Sequence, residues 1–129
     1  MRVLVDTHTW LWMLTSPHRL PATTRDTVGD PGTEVLLSAA SAWEIAIKYR
    51  LGRLPLPEAP TTYVPSRVAA TGSTALAIDH AHVLRAGELP DHHRDPFDRL
   101  LVAQAQILGV PLVSGDRALS AYDVKLLWD

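Results

Sequence analysis

The chain has 129 residues, 47% of them hydrophobic, and a formal net charge of −2 from 12 Lys and Arg against 14 Asp and Glu. That length fits one domain over residues 1–129 with a single core, and the composition excludes disorder along the whole chain. Cysteine is absent, which rules out disulfides, thiolate zinc sites and cysteine nucleophiles and agrees with a reducing cytoplasm.

In chain order, Arg2 to Val5 reads as a short apolar strand, and Thr7 to Leu14 as a helix that Pro17 cannot extend. A second helix covers Pro21 to Val28 and is closed by the turn-rich GDPG at Gly29 to Gly32. Glu34 to Ser38 is the second strand, followed by a helix over Ser41 to Leu51 with Gly52 as its stop. Pro55 to Pro60 makes a stiff connector before a helix at Thr61 to Ala70. A brief strand at Ala75 to Ile78, a short helix at Asp79 to Ala86 and a polar loop at Leu89 to Asp95 come next. Pro96 to Leu108 is the best-defined helix, closed by Gly109; Val110 to Val113 and Val124 to Trp128 are the last two strands. Such alternation implies a mostly parallel sheet covered by helices on both faces. No segment approaches the roughly 18 consecutive apolar residues of a membrane-spanning helix, and the expectation is a soluble cytoplasmic protein.

Four acids stand just past apolar runs, where a strand hands over to a helix: Asp6, Glu44, Asp98 and Asp116. In an open parallel sheet those points share the crevice outside the carboxyl ends of the strands, so the four carboxylates should converge. Carboxylates at close quarters repel and stay ionised together around a cation, and oxygen donors without cysteine select Mg²⁺ or Mn²⁺. Setting these four aside leaves 10 acids against 12 Lys and Arg, a balance of +2 that permits an anionic substrate. Each acid also has a purely local explanation. Ser41 with Glu44 fits a capping box, Asp95 fits the cap of the helix carrying Asp98, Asp6 fits a cap of the first helix, and Asp116 fits a turn. Capping and metal binding are compatible, because a helix N-terminus favours the ionised carboxylate.

The segments VLVDTHTWLW, SAASAWEIAIKYRLGRL, HHRDPFDRLLVAQAQ and VPLVSGDRALSAYDV together resemble a PIN-domain protein of the VapC toxin family, the ribonuclease half of bacterial toxin–antitoxin pairs. The resemblance covers essentially the whole chain, and DPFDRLLVAQA is its most specific block. It implies a three-layer α/β/α sandwich, Mg²⁺- or Mn²⁺-dependent endonucleolytic cleavage of RNA leaving a 5′-phosphate, inhibition by a cognate VapB-like antitoxin, and a homodimer. The family's acidic quartet falls on Asp6, Glu44, Asp98 and Asp116, which are thereby both metal and catalytic residues. Asp6 and Asp98 are assigned as direct ligands, with Glu44 and Asp116 completing the coordination or positioning water. Glu44 is also a general-base candidate if it lies within hydrogen-bond reach of that water. A metal-dependent phosphatase domain and a catalytically silent antitoxin-binding module are the alternatives; neither a phosphate-cradling glycine loop nor the loss of an acid favours them.

Around the quartet, Thr7, Ser41 and Ser114 offer hydroxyls, with capping favoured for Ser41, and Arg99 and Arg117 each follow a site acid and suit phosphate contact. His92, His93 and Arg94 precede Asp95 and can touch RNA phosphate, or lie in a solvated loop. The six histidines lack the spacing of a zinc site. Lys48, Arg50 and Arg53 read as a wet basic face, and Trp43 as core. Trp10 and Trp12 read equally as core or as contacts with a second copy or an antitoxin.

Overall fold

The computed structural model describes residues Met1–Asp129. Five strands, β1 (Arg2–Val5), β2 (Glu34–Ser38), β3 (Thr74–Leu76), β4 (Leu112–Val113) and β5 (Leu126–Leu127), form one sheet in the order β3-β2-β1-β4-β5, every neighbouring pair parallel. Six α-helices connect them: α1 (Thr7–Thr15), α2 (Ala22–Gly29), α3 (Ala39–Arg50), α4 (Pro60–Thr71), α5 (His80–Glu88) and α6 (Pro96–Leu108), with 3₁₀ turns at Pro17–Arg19 and Arg117–Ala121.

Alternation along the strands divides the core into two layers. Leu4, Leu36 and Leu112, paired across the sheet, face a cluster with Leu101, Val102, Ala105, Leu119 and Tyr122. The intervening Val3, Val5, Val35, Leu37 and Val113 face the opposite layer with Trp10, Leu20, Val28 and Ile45. A sheet buried on both faces needs apolar residues in runs, which is why the strands read as VLV and VLL. The result is the three-layer α/β/α arrangement that the alternation implies. Reversal of the chain's lateral progress at β1 and β4 puts a switch point between those two strands, where an open sheet leaves a crevice.

Several local expectations are corrected. α3 begins at Ala39, with Ser38 as its cap accepting the Ala40 amide at 3.0 Å, so Ser41 lies inside the helix and forms no capping box with Glu44. The strand passes into the helix without a loop, and the hydroxyl nearest that handover takes the cap. Trp43 is not core: its surface is 62% exposed, against Phe97 in an edge contact at 5.4 Å. Trp10, by contrast, is fully buried, and its indole nitrogen donates to Ser73 at 3.2 Å, so this ring is core and meets no partner. Trp12 is half-buried between Trp128 and the Arg19 guanidinium.

Candidate active site

Two of the four acids are helix caps, and capping aims them. Asp6, at the carboxyl end of β1, accepts the Thr9 amide on Oδ1 at 2.8 Å. Asp116, after β4, accepts the Ala118 amide on Oδ1 at 3.0 Å. A cap uses one carboxylate oxygen and fixes the side chain's direction, leaving the other oxygen to the crevice. Asp98 stands in the first turn of α6, whose cap Asp95 takes the Phe97 and Asp98 amides at 2.8 and 3.2 Å. Pro96 at the first helical position suits that start, because its missing N–H has no partner to lose.

Glu44 arrives from the body of α3. Its Oε1 accepts the Thr7 hydroxyl at 2.6 Å and its Oε2 pairs with Lys48 Nζ at 2.8 Å. Both oxygens are thus engaged, one by a hydroxyl and one by an ammonium group, and the side chain is fixed in place.

Asp6, Thr7, His8, Glu44, Lys48, Asp95, Asp98 and Asp116 line a single cleft of about 170 Å³ with no hydrophobic residue in its wall. The acids therefore converge, Asp6 and Asp116 from strand ends as expected, but Glu44 from within α3 and Asp98 from a helix that follows α5 and not a strand. Burial and the adjacent Asp95 raise the Asp98 carboxyl from its ordinary 3.8 to about 7; His93 pulls it down, while Asp6 and Glu44 add to the rise. Burial away from water and nearby carboxylates both disfavour the charged form. Clustered hard oxygen donors fit a divalent cation of the magnesium or manganese kind.

One residue joins the cluster that its sequence position gave little reason to place there. His93 Nε2 lies 2.9 Å from Asp116 Oδ2 and 3.4 Å from Asp98 Oδ2, and the three groups offer ligand atoms all within 4.8 Å of one another. Lys48 is the second addition: it belongs to the cleft and not to a wet face, and its i,i+4 spacing from Glu44 was the legible signal. The residues expected to touch substrate divide. Arg117 is exposed beside Asp116, whereas the Thr7 hydroxyl is taken by Glu44, and buried Ser114 accepts the Asp116 amide at 3.1 Å. Arg99 is turned away from the cleft: its guanidinium donates to the carbonyls of Ala86, Leu89, Pro90 and His93 and to the Tyr122 hydroxyl. Ser41 is buried with its hydroxyl unpartnered, so it neither caps nor reaches the acids through a hydrogen bond.

The model of the PIN domain matches residues 3–125 of this sequence. The chain belongs to the PIN domain family. Ribonuclease VapC16 of Mycobacterium tuberculosis is 51% identical over 73 residues, a stretch covering 51% of this chain and 52% of that protein. The chain thus spans about half the length of the curated relative it matches. Among solved structures, VapBC2 from Rickettsia felis bound to a DNA fragment from their promoter superposes with a TM-score of 0.68 at 14% identity, covering 100% of both chains. VapBC-1 from nontypeable Haemophilus influenzae gives 0.67 at 14% identity over 98% of this chain and 97% of that one. These likenesses show that the PIN fold extends over the full length of the chain.

Proposed function

We propose that this PIN domain is the toxin of a type II toxin–antitoxin pair, a divalent-metal-dependent endoribonuclease that hydrolyses RNA phosphodiester bonds and is inhibited by a cognate VapB-like antitoxin. The observation that carries this proposal is the meeting of Asp6, Glu44, Asp98 and Asp116 in one polar cleft. It is supported by the relative named a ribonuclease and by neighbours solved as VapBC assemblies. No helix is long and apolar enough to cross a membrane, which agrees with action on RNA in the cytoplasm.

Asp6 and Asp98 would hold Mg²⁺ or Mn²⁺, with Asp116 and Glu44 completing the site. When bound, such an ion supplies charge neutralisation at the phosphoryl oxygens and a more acidic water. The remaining roles fall to the chain itself. Thr7 and Lys48 hold Glu44 in position in the cleft, and exposed Arg117 would meet a phosphate flanking the scissile one. A homodimer belongs to the same proposal, and light scattering on the purified protein tests it.

The decisive test incubates the protein with mixed RNAs in Mg²⁺, Mn²⁺ or EDTA, beside an Asp98→Asn variant and a generic phosphate monoester. RNA cleavage that requires the cation and Asp98 supports the nuclease. Hydrolysis of the ester alone assigns a phosphatase instead, and inactivity with tight antitoxin binding assigns a silent module.

A further inference from the structure

We infer that His93 is a positioning residue of the acidic site, a hydrogen-bond donor that aligns Asp116 and Asp98 without itself becoming a metal ligand, and that Arg99 and Tyr122 clamp the loop that delivers it. The inference rests on the metal site proposed above and goes further, by assigning residues outside the acidic quartet.

The ring's environment fixes which nitrogen carries the proton. His93 Nδ1 accepts the Asp95 amide at 3.1 Å, so that nitrogen is bare and Nε2 bears the hydrogen. Nε2–H then donates to Asp116 Oδ2 at 2.9 Å, with Asp98 Oδ2 at 3.4 Å. A cation needs a lone pair on Nε2, and none is available there while the Asp95 amide occupies Nδ1. The carboxylates are left as the ligands, and His93 holds them from behind, as groups bonded to ligating carboxylates generally do.

Holding one ring this way requires a rigid loop, and the Leu89 to Arg94 segment has no regular structure of its own. Rigidity comes from α6 and the 3₁₀ turn. Arg99 Nη2 donates to Ala86 O at 2.8 Å and Leu89 O at 2.9 Å, and Nη1 to Pro90 O at 3.0 Å and His93 O at 3.3 Å. Tyr122 Oη donates to Pro90 O and accepts the His93 amide, both at 2.9 Å. A planar guanidinium can span four carbonyls; a lysine ammonium in its place cannot. Arg99, the residue after Asp98, therefore ties that ligand's helix to the loop bearing its hydrogen-bond donor.

The test measures Mg²⁺ and Mn²⁺ binding by calorimetry for the wild type, His93→Ala, His93→Gln, Tyr122→Phe and Arg99→Lys, together with ¹⁵N spectra of the His93 imidazole with and without Mg²⁺. Glutamine carries an N–H where Nε2–H stood, so His93→Gln should bind the ions within about threefold of wild type while His93→Ala loses about tenfold or more. Tyr122→Phe and Arg99→Lys, which touch none of the acids, should also bind the ions more weakly. The spectra should show Nε2 still protonated when Mg²⁺ is bound. Loss of that proton, or a His93→Gln as weak as His93→Ala, would make the ring a ligand and overturn the assignment. Wild-type affinity in Tyr122→Phe and Arg99→Lys would overturn the clamp. A wild type that binds no divalent ion at all would instead sink the metal-site proposal beneath it, a separate and recognisable outcome.

Discussion

Asp98 is where the chemistry of the cleft and the stability of the fold meet. Its carboxyl sits at about 7 in the folded protein against 3.8 ordinarily, so the unfolded chain gives up this proton first as pH rises. Stability from this group therefore declines between about pH 4 and pH 7 and then levels off, because above both values neither state holds the proton. A cation takes the ionised form, so apparent Mg²⁺ affinity should climb by about tenfold per pH unit up to roughly pH 7 and flatten beyond it. Calorimetry from pH 5.5 to 8 measures this, and a flat profile contradicts it. Asp98→Asn removes the like-charge conflict: at pH 8 without metal it should unfold at a temperature a few degrees higher than wild type, yet lose the stabilisation that Mg²⁺ confers. Thermal scans with Mg²⁺ and with EDTA check both halves.

Among the elements, the start of α6 carries the most of the proposed site. Asp95 caps it and orients His93, Asp98 faces the cleft, and Arg99 reaches back to the end of α5 and the following loop. Arg99→Ala removes a charged donor from four carbonyls, of which those of Pro90 and Ala86 keep other donors, and the loss should be on the order of 3 kcal/mol in urea unfolding with little change in m. The elements were largely legible, since Pro96 at a first helical position, Gly109 in the left-handed conformation at the end, and apolar periodicity between them specify α6 locally. What failed was local as well. Ser41 and Glu44 have capping-box spacing, but Ser38 stands nearer the end of β2 and takes the cap. Arg99 beside a site acid looked like a phosphate contact until the carbonyls of a sequence-distant loop claimed its donors.

For the whole molecule, a bound cation should act as any ligand that prefers the folded state. At about a hundred times its dissociation constant, Mg²⁺ should add roughly 2.7 kcal/mol and raise the melting temperature by about 5–10 °C, reversibly with EDTA. No such rise in the wild type would contradict the metal site. Strand–helix alternation and the strand-end positions of Asp6 and Asp116 were set by the residue order, because a doubly covered parallel sheet demands apolar runs and puts every handover on one edge; Glu44, from within α3, and Asp98, on a helix that follows α5, reach the cleft only through tertiary packing. Trp43, however, lies outside the core even though indole is the largest apolar side chain, and Trp10 lies wholly inside it; their helix positions alone do not tell them apart. The His93 to Asp116 bond, the Arg99 clamp and the raised Asp98 carboxyl all join residues separated along the chain or buried together. Local spacing encodes caps, turns and periodicity, whereas hydrogen bonding and desolvation depend on which distant groups the packed sheet brings within a few ångströms.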